Sequence, residues 1–300
     1  LTAPLEARGW DIRWIDVQPR DAFPFPWPIR RFFGVFPQVV DPKAVVELVE
    51  PGGGFDTAAD ELVILAYQVW YLAPSLPVRS LLKTHPEAVQ GRTVVSLIAC
   101  RNMWYSAAIE ASGLLQSAGA RRVEVVAATD TRGSSTSLVT TLRWLLTGKR
   151  APFLWFGQAG VGDDELARVD VVGQCIAESR PCPQDAAPVV PALAAADILA
   201  GKVFRKWGAT VRSMRRFGVA AHAASLITFA LGLGIAIMVG LPLIGCAAVV
   251  GGGRFAARVR GFVYPRISFD LPVSDEVGRM TAIDPLTGRP LTASRDGRQW

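Results

Sequence analysis

Histidine is almost missing from this chain of 300 residues: His85 and His222 are the only two. The four cysteines, Cys100, Cys175, Cys182 and Cys246, form no CxxC pair. Zinc-finger and His-rich metal centres therefore lack ligands, and a disulfide scaffold does not suit a chain of this length. No GxxxxGK[ST], GxGxxG after a strand, GxSxG or HExxH occurs, which removes the P-loop, Rossmann, hydrolase-elbow and zincin readings. Charged residues make up only 19% of the chain against 50% hydrophobic, so long disorder is excluded for most of it. Acid is missing most conspicuously: no Asp or Glu lies between Asp197 and Asp270, an interval that holds ten Lys and Arg.

The formal net charge of +6 is distributed unevenly, at +2 over residues 1–150, −5 over 151–200 and +9 over 201–300. The basic excess flanks Phe217 to Gly253, 37 residues without Asp, Glu, Lys or Arg, so a lipid bilayer is the expected partner and nucleic acid is not. One straight helix of that length would run about 55 Å at 1.5 Å per residue, against a hydrocarbon core of roughly 30 Å. Gly240, Leu241 and Pro242 offer a break, predicting a transmembrane or membrane-embedded helical hairpin within 217–264, with arms near Val219–Val239 and Leu243–Phe255. Basic residues at both ends place both on the cytoplasmic face. A buried helical pair in a soluble core is the competing reading, disfavoured because neither arm has a charged face. Gly232, Gly234 and Gly240 suit close helix packing without forming a strict GxxxG. His222 at the boundary reads as an interfacial, solvated histidine.

Residues 1–150 read as an α/β unit. Asp11–Val17, Glu61–Tyr67, Thr93–Cys100 and Val123–Ala128 are predicted strands. The last three are nearly all apolar, as in a parallel sheet covered on both faces. Leu76–Thr84, Met103–Ala118 and Ser137–Leu146 carry helical spacing, and Gly119 stands where a helix ends in a left-handed residue. Alternation of this kind predicts a doubly wound parallel sheet, with ligands beyond the carboxyl ends of its strands.

Two of those ends stand out. One carries Tyr67, Gln68, Val69, Trp70 and Tyr71, continuing through Pro74 and Pro77 to Arg79. The other carries Cys100, Arg101, Asn102, Met103, Trp104 and Tyr105. Aromatic rings beside amides suit a flat aromatic ligand, although the same rings could equally cover the sheet end. Cys100 reads as a small buried hydrophobe, because no histidine base accompanies it.

The stretch DELVILAYQVWYLAPSLPVRSLL, Asp60 to Leu82, resembles the third strand and following loop of flavodoxin-like proteins. VVSLIACRNMWYSA, Val94 to Ala107, is similar to a narrower group, the flavodoxin-like proteins called dialkylresorcinol condensing enzymes of bacterial aryl-lipid biosynthesis; CRNMW is the more specific part. The resemblance covers residues 1–150. It implies FMN held by the strand-end residues named above, with Trp70 and Trp104 stacking on or edging the ring system. Asn102 and neighbouring amides would bond its pyrimidine side, and Arg101 would stabilise an enolate. The implied activity is oxidation of a cyclised diketone to a dialkylresorcinol, at the bacterial inner membrane with the catalytic domain cytoplasmic. A ketosynthase would be the partner and a lipophilic molecule the substrate. Two alternatives stand beside it: a flavin-dependent NAD(P)H or quinone reductase, and a non-enzymatic membrane scaffold for the ketosynthase. The family's first strand and its hydroxyl-rich phosphate loop are not in the sequence. Leu1–Arg8 reads as the tail of the first helix and Asp11–Val17 as the second strand, which predicts about 20 to 25 further residues upstream.

Phe23-Pro24-Phe25-Pro26-Trp27-Pro28 forbids regular structure while its rings favour burial. It can dock at a membrane interface, line the way in for an alkyl chain, or pack on the domain's own loops. Gly157, Gly160 and Gly162 read as a turn before a helix capped by Asp163 and Asp164. Residues 151–216 are expected as a helical connector, with helices over Asp164–Ser179 and Ala192–Arg216, the second growing basic towards the membrane. Residues 265–300 are expected as a loosely ordered polar tail.

Overall fold

The structure, a computed structural model, is described for residues 1–130, 134–180, 182, 186–267, 282–283 and 290–291. Most of the expected polar tail therefore lies outside the described residues. Its exceptions are residues 265–267 and the short antiparallel pair Ala282–Ile283 with Pro290–Leu291.

Three parallel strands form the sheet: β1 (Val63–Trp70), β3 (Thr93–Cys100) and β4 (Arg122–Thr129). The two-residue β2 (Ala73–Pro74) folds back antiparallel on the end of β1, giving the order β2-β1-β3-β4. Successive side chains alternate between two packed faces, as a pleated strand requires. Leu65, Tyr67, Val94, Ile98, Val125 and Ala127 join the cluster beneath α3 (Leu76–Thr84) and α4 (Tyr105–Ser117). Val95, Val126 and Ala128 face Val169, Val172 and Ile176 of α6 (Asp163–Ala177) and Leu5 of α1 (Ala3–Glu6). The fold is thus α/β with helices on both faces: the face under α3 and α4 is closed, whereas on the α6 side the carboxyl ends of β1 and β3 stay open, with Ala66, Gln68 and Ala99 exposed.

Three expectations need correction. Asp11–Val17 is not a strand: its backbone makes no ladder, because no strand lies beside it. It runs past the start of β1 as a covering segment, held by Arg13, which donates to Glu61 Oε2 at 2.9 Å and to the Asp56 carbonyl at 2.9 Å. Ile12 packs on one core cluster while Ile15 and Val17 pack on the other. Secondly, residues 151–216 are not a connector. α6 is one outer layer of the sheet, and α7 (Pro191–Met214) packs on α4 and on α2 (Ile29–Val39). Thirdly, the helix does not break at Gly240-Leu241-Pro242. α8 (Val219–Ile235) passes through a π turn at Ala236–Gly240 into α9 (Leu241–Val263). The wider turn lies just ahead of Pro242, whose ring and missing N–H an ordinary helical turn accommodates poorly. The departure from helical geometry comes instead at Gly252 (φ 48°, ψ −133°), in a region open to glycine. Val219–Arg266 is the one helix among the described residues long and apolar enough to cross a membrane.

Candidate functional site at the carboxyl edge of the sheet

β1 ends in a two-residue hairpin turn. Both central residues, Tyr71 (φ 48°) and Leu72 (φ 61°), are left-handed, the geometry that normally selects Asn-Gly. For these side chains that conformation costs roughly 1–2 kcal/mol each. Packing offsets it: the Tyr71 ring lies against Phe32, Phe36 and Phe204 at 5.3, 5.1 and 6.5 Å, and its hydroxyl donates to the Phe32 carbonyl at 2.7 Å. Burial pushes the Tyr71 hydroxyl pKa up, so it stays protonated. Trp70 meets Phe23 edge-on at 4.9 Å and Trp27 at 5.6 Å, while its indole N–H reaches Gln68 Oε1 at 3.3 Å. The proline-rich segment therefore packs on the β1 loop through Phe23 and Trp27 and leaves Phe25 and Ile29 exposed. Tyr67 is a core residue whose hydroxyl accepts from Ser96 at 3.3 Å, and Val69 packs on the same cluster. Arg79, fully buried on α3, donates Nη1 to the carbonyls of Val39 (2.6 Å) and Asp41 (3.0 Å) and Nε to Glu110 Oε1 at 2.9 Å. It thereby ties the end of α2 to α3 and α4.

The loop after β3 is tighter than its composition suggests. Trp104 sits at the N-cap of α4, is 1% exposed, and stacks on Tyr105 at 4.3 Å. Cys100 is held at the strand end, where burial pushes its thiol pKa up and removes nucleophilic character. Arg101 is half-buried and Asn102 buried. Burial lowers the Arg101 guanidinium pKa, opposed by Cys100 and Asp130. Met103 is half-buried beside them.

Structure adds acids that the sequence did not single out. Asp197, on α7, caps α4 from across the fold: Tyr105 N donates to Oδ2 at 3.1 Å and Ser106 N to Oδ1 at 2.9 Å. Its lone occurrence in an apolar helix was the available signal, since buried carboxylates are partnered. Asp130, just after β4, accepts from Ser137 Oγ of α5 (Ser134–Thr147) at 3.0 Å, and its N–H donates to the Arg101 carbonyl at 2.7 Å. Glu165 of α6 accepts from Thr129 N at 3.0 Å and from Arg168 Nε at 2.9 Å. Burial alone would raise the Glu165 carboxyl, but those bonds outweigh it and the net shift is downward. A polar group thus gathers at the ends of β3 and β4, where a doubly wound sheet holds ligands.

Tested against a flavin, these residues fit in part. Arg101 and Asn102 are of the kind that meet the polar parts of a nucleotide. The stacking pair is not formed: Trp104 has both faces covered, and Trp70 is engaged by Phe23 and Trp27. Among the described residues, no group of three His, Cys, Asp or Glu side chains gathers at metal-binding distance. No protein-family model, curated protein or solved structure matches the chain.

Proposed function

We propose that the protein is a membrane-anchored α/β enzyme of aryl-lipid (dialkylresorcinol) biosynthesis that handles a lipophilic ring compound at the carboxyl edge of its sheet. The observation that carries this reading is a single aromatic cluster: Tyr71 from the β1 loop packs on Phe36, and Phe36 stacks on Phe229 of the apolar helix at 3.7 Å and 14°. Phe36 of α2 thus bridges the strand-end loop and the apolar helix, which suits a substrate whose alkyl chains stay in the bilayer. FMN, serving aromatisation of a cyclised diketone or an NAD(P)H- or quinone-linked reduction, belongs to this proposal. So do the ketosynthase partner and a bacterial inner membrane with the domain cytoplasmic.

The test is visible absorbance of the full chain purified in mild detergent. Flavin bands that persist through gel filtration are the expected result. A colourless protein that also fails to take up added FMN removes the redox reading. The buried ring of Trp104 would then favour the second reading, a scaffold that positions a ketosynthase at the bilayer.

A further inference from the structure

We infer that the long apolar segment after Gly218 lies within one leaflet of an anionic bilayer, with both its ends on the side of the α/β body, and does not cross. The inference rests on the membrane attachment proposed above and specifies its topology.

One face of α8 is committed to protein. His222 Nδ1 meets the Val211 carbonyl at 3.1 Å, and Leu226, Phe229 and Leu233 join the cluster of Phe36, Val40 and Val211. Ile227, Leu231, Ile235 and Met238 recur at helical spacing on an exposed stripe, as in a helix lying in an interface. The far end is committed too. Val263 and Ile267 are buried in the core cluster that holds Trp104, Tyr105 and Ala194, and Val259 packs against it.

Length then decides the topology. Between Leu233 and Val259 lie residues 234–258, 25 in all, and the charge-free run within them ends at Gly253. Two crossings require about 40 apolar residues, at about 20 each. A single crossing would put Val263 on the opposite side of the bilayer from Leu226, yet both are packed into one body. Gly252, with its non-helical φ/ψ, supplies the turn back.

Charge names the surface. Arg215 and Arg216 precede the segment and Arg254, Arg258 and Arg260 follow it, all exposed, with no acidic residue from 198 to 269. Arg216 lies over the Phe217 ring at 4.7 Å and Arg266 over Phe262 at 4.0 Å. Arginines beside exposed rings fit the headgroup level of anionic phospholipids.

The test uses the full chain carrying Met238→Cys or Val250→Cys with Cys246→Ser, reconstituted into sealed phosphatidylcholine–phosphatidylglycerol vesicles with the α/β body outward. The chain should float with the vesicles, and neither cysteine should react with a membrane-impermeant maleimide trapped in the lumen until detergent is added. A fluorophore attached at either position should be quenched more by lipids bearing a doxyl group near the headgroup than by lipids bearing one at the chain end. Lumenal labelling at either position overturns the inference while leaving membrane attachment intact. Failure to float overturns membrane attachment itself.

Discussion

Replacing Asp197 with asparagine changes the pH dependence of stability in a direction the structure fixes. The carboxylate is fully buried between α7 and α4 and accepts amide bonds on both oxygens, at 3.1 and 2.9 Å. Burial disfavours the ionised form. The bonds from Ser106 and Tyr105 and the charge of Arg205 favour it, and burial wins, lifting the pKa from 3.8 to about 6. Between those values the folded chain holds a proton that the unfolded chain has released. The group's contribution is therefore full below pH 4 and is lost as pH rises through about 6, a change of about 3 kcal/mol. Above pH 6 the ionised acid remains an expensive cap.

Asp197→Asn removes the titration. It also presents an amide N–H to one of the two backbone donors, which costs about 1–3 kcal/mol at every pH. The wild type's stability minus the variant's should therefore fall by about 3 kcal/mol between pH 4 and pH 6.5, reaching or passing zero, and then level off. Unfolding followed by tryptophan fluorescence in detergent, at half-unit pH steps for both proteins, measures that difference. Parallel profiles from pH 4 to 7 would refute the reasoning, since a carboxyl with the same pKa in the folded and unfolded chain adds no pH dependence to stability.

Three further outcomes follow from geometry. Leu72 is left-handed, so Leu72→Gly should be more stable than Leu72→Val by about 1–2 kcal/mol, the reverse of the ordinary strand preference, as read from denaturant midpoints. Gly208 of α7 lies so close to α2 that an added Cβ would sit 2.1 Å from Val40 Cγ2. Gly208→Ala should cost about 1–3 kcal/mol and loosen α2, seen as faster amide exchange over Ile29–Val39. Phe229→Ala empties the stack on Phe36 and should cost about 3–5 kcal/mol, with proteolysis of the chain around Gly218 accelerating while the sheet persists.

Much of the sheet was legible in the residues. Thr93–Cys100 and Leu76–Thr84 have the bounds their patterns predict, and β1 and β4 differ by a few residues, because apolar β-branched runs between turn residues admit little else. The left-handed Gly119 (φ 82°) closing α4 was equally readable. Asp11–Val17 has the composition of a strand, but a strand exists only where another supplies its ladder, and no window of sequence contains that information. Trp104 was legible as a strand-end aromatic, yet whether its ring faces solvent or core depends on how α4 and α7 close over it.

The sequence by itself determined the α/β alternation, the three apolar parallel strands and an apolar helix bordered by arginine. These follow from local periodicity and charge, which each segment carries with it. Only the tertiary structure decided that α6 and α7 are layers of the sheet domain, that Asp197 caps a helix 91 residues away from it in the chain, and that the β1 loop meets the apolar helix through Phe36 and Phe229. The physical reason is the same in each case. The free energy of these contacts comes from surfaces that the chain brings together only after its elements have formed, so no single segment encodes its partner.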